Sequence, residues 1–365
     1  MSAIAERLHE RDVVICVGSG GVGKTTTSAA LALALARRGL RVCVVTIDPA
    51  RRLATALGLS ELSNEPHRIE GAVEEPGELW AMMLDAKRTF DEVIESLESD
   101  PRKRAEILAN PIYRELSGAI SGSHELGAIV KLYELHEEHS FDVVVLDTPP
   151  SRNALDFLDA PQRLLGFLEG RALQVFLAPG GLTARLFGRG SALIFSVFAR
   201  VTGVDLLGDL SVFFGAMSGV LDGFAERTKR VAALLREPGT EFVIVTSPEH
   251  EPSREARFLA ERLDEAGMPA AELVVNRVQR PVLGSLGRDQ LAAALSGELG
   301  DELAGRIARS AASIDLLARR DARSIEHLAG ELGHAEPVVV VPQLAEEVQD
   351  LAGLGRVADI LDAVQ

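Results

Sequence analysis

Eight consecutive residues, Gly18-Ser19-Gly20-Gly21-Val22-Gly23-Lys24-Thr25, hold the most specific chemistry in this chain. They satisfy G-x-x-x-x-G-K-[ST], in which glycines let successive backbone N–H groups turn inward around phosphate oxygens. Lys24 supplies a cation for the β and γ phosphates, and the Thr25 hydroxyl is a hard oxygen suited to Mg²⁺. Thr26 opens the helix whose N-terminal dipole favours the same anion. Gly20, Gly21, Val22, Gly23, Lys24, Thr25 and Thr26 are therefore the expected nucleotide-binding set. Two aspartates follow apolar runs elsewhere, Asp48 in Thr46-Ile47-Asp48-Pro49-Ala50 and Asp147 in Asp142–Pro150. Asp147 is placed to hold Mg²⁺ through its waters. Asp48 is placed to orient or deprotonate an attacking water, which makes Asp48 and Lys24 the catalytic pair.

Such groups converge only if strands deliver them to one edge of a sheet. Short β-branched runs recur at Val13–Val17, Val42–Ile47, Leu79–Leu84, Val143–Leu146, Phe242–Thr246, Leu273–Val275 and Val338–Val341. Several show no alternation, the pattern of strands buried on both faces. Helical stretches separate them, so the expected fold is α/β, a doubly wound, mostly parallel sheet of the P-loop type. In open sheets of this kind, ligands sit beyond the carboxyl ends of the strands, where both aspartates fall. Helical blocks over 88–140 and 151–238 interrupt the rhythm. They are read as an inserted helical subdomain within one domain spanning 1–365, with 239–365 completing the sheet. A third helical block runs from Arg288 to Leu332.

Composition narrows the function classes. Charged residues make up 25% and hydrophobic ones 47%, which excludes wholesale disorder. Thirty-eight basic against fifty-four acidic side chains leave −16, the wrong sign for a nucleic-acid partner. The amino terminus has no apolar core, and the longest apolar stretch, Ser191–Val204, is interrupted by Arg200 and too short to span a bilayer. With only Cys16 and Cys43, both in apolar runs, a disulfide framework is excluded and buried thiols are expected. A cytoplasmic protein with transient peripheral membrane contact is the expectation. Residues 171–204 contain four arginines and no acidic residue. Two readings of that segment stand, a core that packs against itself and an apolar lid with arginines at its rim.

The chain resembles the arsenite-pump and tail-anchored-protein targeting ATPase family, within the deviant-Walker class. That family reads GKGGVGKT where this chain reads GSGGVGKT. The family's DPAH segment appears as Asp48-Pro49-Ala50-Arg51, and its DTAPTGHTLRFL segment as Asp147 through Leu158, DTPPSRNALDFL. By this resemblance Glu249 contacts nucleotide, Asn276 reads adenine, and Pro342 in Val341-Pro342-Gln343-Leu344 lies near the base. The chain is similar in particular to actinobacterial anion-transporting-ATPase-like proteins that occur as paired subunits.

The resemblance implies an ATPase that uses ATP and Mg²⁺, works as a homo- or heterodimer, and couples nucleotide state to a hydrophobic client or a membrane anion-transport partner. Departures qualify it. Ser19 replaces the class's signature lysine, which in relatives crosses to the opposite nucleotide. Arg152 and Asn153 replace a switch glycine and histidine, and no Cys-x-x-Cys exists to hold an interfacial zinc. A pairing with a lysine-bearing homologue is therefore expected. The alternative is a nucleotide-binding regulatory subunit with little turnover of its own.

Overall fold

The computed structural model describes residues 3–47, 52–111, 113–114, 123–148, 165–166, 220–223, 225–268, 271–332 and 338–363. Asp48 to Arg51, Arg152, Asn153 and the 171–204 segment lie outside the described residues. Eight strands among those described form one sheet: β1 (Val13–Val17), β2 (Arg41–Thr46), β3 (His67–Arg68), β4 (Glu78–Met83), β5 (Val143–Asp147), β6 (Thr240–Thr246), β7 (Ala271–Val278) and β8 (Val339–Pro342). The helices used below are α1 (Ile4–Leu8), α2 (Lys24–Arg37), α3 (Arg52–Ala56), α4 (Ala86–Leu97), α5 (Pro101–Ala109), α6 (Ser123–Glu137), α7 (His250–Glu265), α8 (Arg288–Leu299), α9 (Asp301–Leu332) and α10 (Leu351–Asp362).

The strand order is β3-β4-β2-β5-β1-β6-β7-β8. Parallel ladders join β2 to β5, β5 to β1, β1 to β6, β6 to β7 and β7 to β8, while β3 runs antiparallel to β4. This is the doubly wound, mostly parallel sheet the sequence implies. From β1 the chain goes to β2 on one side, and from β5 it crosses to β6 on the other. The winding thus reverses around β1, and ligand crevices open at such a point. All five residues of β1 are buried, as are the five of β5 and the seven of β6. Each fully buried Val or Ile there contributes roughly 1.5–3 kcal/mol by leaving water. Helix α2 is buried along its whole Thr27–Ala36 stretch. Its small Ala/Leu side chains let it pack on β1, β2 and β5 with one face and on α10 with another.

All seven apolar runs form strands. The eighth, β3, consists of exposed His67 and Arg68 and has no apolar signal to announce it. Strand β7 is longer than its apolar kernel, taking in Glu272 before it and Asn276, Arg277 and Val278 after it, with Arg277 at a φ of +61°. The 288–332 block divides into α8 and α9 at Gly300, whose φ of +76° breaks the helix. No helix among the described residues is long and apolar enough to cross a membrane.

The chain divides into two compact units, residues 1–82, 140–154 and 237–365, and residues 83–139 and 155–236. The first contains the sheet core. At the amino ends of its strands Arg7 of α1 grips Glu272 through two 2.7 Å hydrogen bonds, with Arg11 3.3 Å from Glu241 beside them. Beyond the end of β4, the described residues of the second unit are mostly helical. Asp85 and Asp100 cap α4 and α5 through the backbone N–H groups of Arg88 and Arg102. Lys131 of α6 bridges Glu92 and Glu134, and Arg227 reaches Glu134 at 3.1 Å. Burial raises the Glu134 carboxyl above its ordinary range despite these two cations.

Candidate nucleotide site

The loop after β1 needs glycine at two places for reasons the fold makes visible. A Cβ on Gly18 (φ +149°) would run into the Val245 carbonyl of neighbouring β6. At Gly23 (φ +95°), the N-cap of α2, it would meet the Asn276 amide nitrogen at the end of β7. Only glycine combines such dihedrals with such close neighbours. Val22 between them is buried, whereas Gly20 and Gly21 are exposed at the loop's outer surface.

Lys24 is 6% exposed and folds back over the loop. Its Nζ donates to the carbonyls of Gly18 at 2.8 Å and Ser19 at 2.9 Å. Ser28, one turn on, donates to the Lys24 carbonyl. The lysine's charge is thus held inside the loop's curve rather than in solvent. Thr26 is half-buried on the same first turn.

Asp147 ends β5 next to β1 and is fully buried. Its Oδ2 accepts two 2.8 Å hydrogen bonds, from the hydroxyls of Thr25 and Thr46. The parallel register places Thr46 opposite Asp147 at the end of β2, so the hydroxyl arrives from the adjacent strand. Thr148 secures the next step by donating its hydroxyl to the Cys16 carbonyl at 2.7 Å. Hydroxyl and carboxylate oxygens are the hard donors Mg²⁺ prefers, and a Thr25–Asp147 pair presents both. The residues present therefore fit the ion. Cys16, fully buried in β1, has its thiol pushed up to about 12 by burial, so it is inert core.

Asn276 lies on β7 with its amide donating to the Val22 carbonyl at 2.8 Å, while its Oδ1 accepts from the Arg277 N–H at 2.9 Å. One amide N–H is thereby used against the loop and one Oδ1 lone pair against the Arg277 N–H of β7, leaving the second of each. Glu249 is the exposed N-cap residue of α7 just past β6, and its side chain makes no cap hydrogen bond. Pro342 is buried at the end of β8, paired with Val278. Since β1, β6, β7 and β8 are consecutive and parallel, Lys24, Glu249, Asn276 and Pro342 share the carboxyl edge of the sheet. Asp48 falls outside the described residues. Thr46, which sequence reasoning did not single out, joins the candidate site through its bond to Asp147. Its only signal is a hydroxyl closing the apolar run Val42–Val45 of β2.

A phosphate loop, an acidic residue beside it and a doubly wound sheet define a P-loop nucleoside triphosphatase. The anion-transporting ATPase family pattern matches residues 11–281. The chain belongs to that family and is an ATPase. It is similar to the ATPase GET3 of Malassezia globosa, 29% identical over 278 residues covering 74% of each chain. It is also similar to the ATPase ARSA2 of Chlamydomonas reinhardtii, 26% identical over 72% of this chain and 67% of that one. A putative arsenical pump-driving ATPase of Halobacterium salinarum is 30% identical over 48% of this chain and 28% of its own length.

Proposed function

We propose that the chain is a Mg²⁺-dependent, ATP-hydrolysing subunit of a dimeric switch. Its dimer couples nucleotide state to a hydrophobic client or an anion-transport partner at the membrane. The observation that supports this most is the Thr25–Asp147–Thr46 cluster beside a phosphate loop already turned around Lys24. Thr25 would hold Mg²⁺ directly and Asp147 through water. When bound, the ion neutralises charge on the β and γ phosphate oxygens. Lys24 stabilises the same oxygens, and the loop's N–H groups orient the chain of phosphates for in-line attack. Asp48 orients or deprotonates the attacking water, and Asn276 and Glu249 hold the base and sugar side. The working place is the cytoplasm, with transient membrane contact.

Ser19 favours a mixed dimer. Its Oγ is buried in its own protomer and makes no hydrogen bond there. A cation supplied to the transferring phosphoryl group from outside is worth about 10³–10⁵ in rate, roughly 4–7 kcal/mol. A buried serine hydroxyl supplies no such charge. The lone chain is therefore slow, and a lysine-bearing homologue completes its site. Steady-state phosphate release measured for the lone protein, for the mixture, and for the mixture with Lys24→Ala tests this. Slow turnover alone, restoration on mixing and loss with Lys24→Ala are expected. Robust turnover by the purified chain alone would refute the pairing.

A further inference from the structure

Asn276 reaches the phosphate loop because β7 departs from regular geometry there. The β7–β8 register shifts between Val275 and Val278, and Arg277 takes a φ of +61°. A bulge re-aims the side chain before it and costs backbone energy, so something must hold it in place. The segment that follows is tied to α9 by two buried aspartates. Asp321, 1% exposed, accepts from the Gln279 N–H at 3.0 Å, with Arg320 on its other oxygen at 2.8 Å. Asp315, 7% exposed, accepts from the N–H groups of Val282 at 2.7 Å and Leu283 at 3.1 Å. Small Ala311 and Ala318, both buried on α9, leave room for the turn to approach.

We propose that Asp315 and Asp321 are positioning residues of the nucleotide site: by clamping the 279–283 turn to α9 they hold Asn276 against Val22 and so set the shape of the phosphate loop. The proposal rests on the reading that Gly18–Thr25 holds ATP. Three hydrogen bonds to carboxylates are a strong tether, about twice the strength of neutral ones. Their anchor, α9, is 32 residues long and also packs on α7 and β7. Only two residues separate Asn276 from Gln279, so displacement of the turn is passed to the amide with little slack. By reciprocity, nucleotide in the loop stabilises the clamp as much as the clamp stabilises nucleotide binding.

A double-mutant cycle on the full chain tests the link, with ATP affinity read by calorimetry. Asp315→Ala, Asp321→Ala and Asn276→Ala should each weaken ATP about tenfold. Asp315→Ala with Asn276→Ala should be no weaker than Asn276→Ala alone, because the clamp acts through the amide. Asp315→Asn, which keeps an acceptor oxygen, should recover most of the loss. Losses that multiply to about a hundredfold in the double variant would overturn the proposal, as would full ATP affinity in folded Asp315→Ala and Asp321→Ala proteins. Should the alanine variants fail to fold, hydrogen exchange on the unmodified protein decides. ADP should slow exchange at the Gln279, Val282 and Leu283 amides several-fold, and unchanged exchange with ADP bound overturns the idea. An unmodified chain that does not bind ATP would instead refute the reading of the phosphate loop.

Discussion

Thr46→Val removes one atom's worth of chemistry from the site and leaves its shape. The Thr46 hydroxyl donates to Asp147 Oδ2 at 2.8 Å, as Thr25 does, and lies at the end of an adjacent strand. Thr25 remains as a donor to the same oxygen, so the carboxylate loses one of the hydroxyls that orient it. A hydrogen bond to a charged acceptor is worth about 1.5–3 kcal/mol. If that orientation matters mainly in the transition state, turnover should fall roughly ten- to 150-fold at 1.36 kcal/mol per decade. ATP affinity without Mg²⁺ should hardly change, because the loop and Lys24 are untouched, while the Mg²⁺ concentration for half-maximal rate should rise. Phosphate release titrated with Mg²⁺ at saturating ATP, in whichever assembly turns over faster, reads both. Thr46→Ser, which restores the donor, should recover the rate. A Thr46→Val protein with unchanged rate and Mg²⁺ dependence would refute the assignment of Asp147 as the metal-ordering carboxylate positioned by Thr46.

Asp48→Asn should keep ATP binding by calorimetry and lose turnover; parallel loss of both would make Asp48 structural. Gly18→Ala should abolish ATP binding and lower the melting temperature, since its Cβ would collide with the Val245 carbonyl of β6. Glu241 offers a pH test. Burial pushes its carboxyl up to about 7 despite nearby Arg11, with Glu272 adding to the rise. Below the unfolded value of about 4.5 it is neutral in both states. As pH climbs from there toward 7 the unfolded chain ionises first, so this group's contribution to stability is lost with rising pH. Glu241→Gln minus unmodified Tm should therefore grow between pH 5 and pH 8, and a constant difference would show that Glu241 titrates normally.

The local chemistry of the chain is written in contiguous residues. Gly18–Thr25 specifies its own backbone path, because glycine dihedrals, a lysine and a helix start fall within eight positions. The runs Val13–Val17 and Val143–Leu146 announce buried parallel strands, because a strand covered on both faces has no polar side to display. What those residues touch was beyond the reach of any local pattern. Thr46 and Asp147 are 101 positions apart, and Asn276 and Val22 are 254 apart. Each pair meets only because the strand order brings its elements to one edge of the sheet. Asp315 and Asp321 read in sequence as ordinary charges on an amphipathic helix. Their burial, and the turn they hold, depend on which face of α9 the sheet covers. Sheet order and helix orientation are set by the joint burial of the whole apolar core, and no window of residues contains that sum.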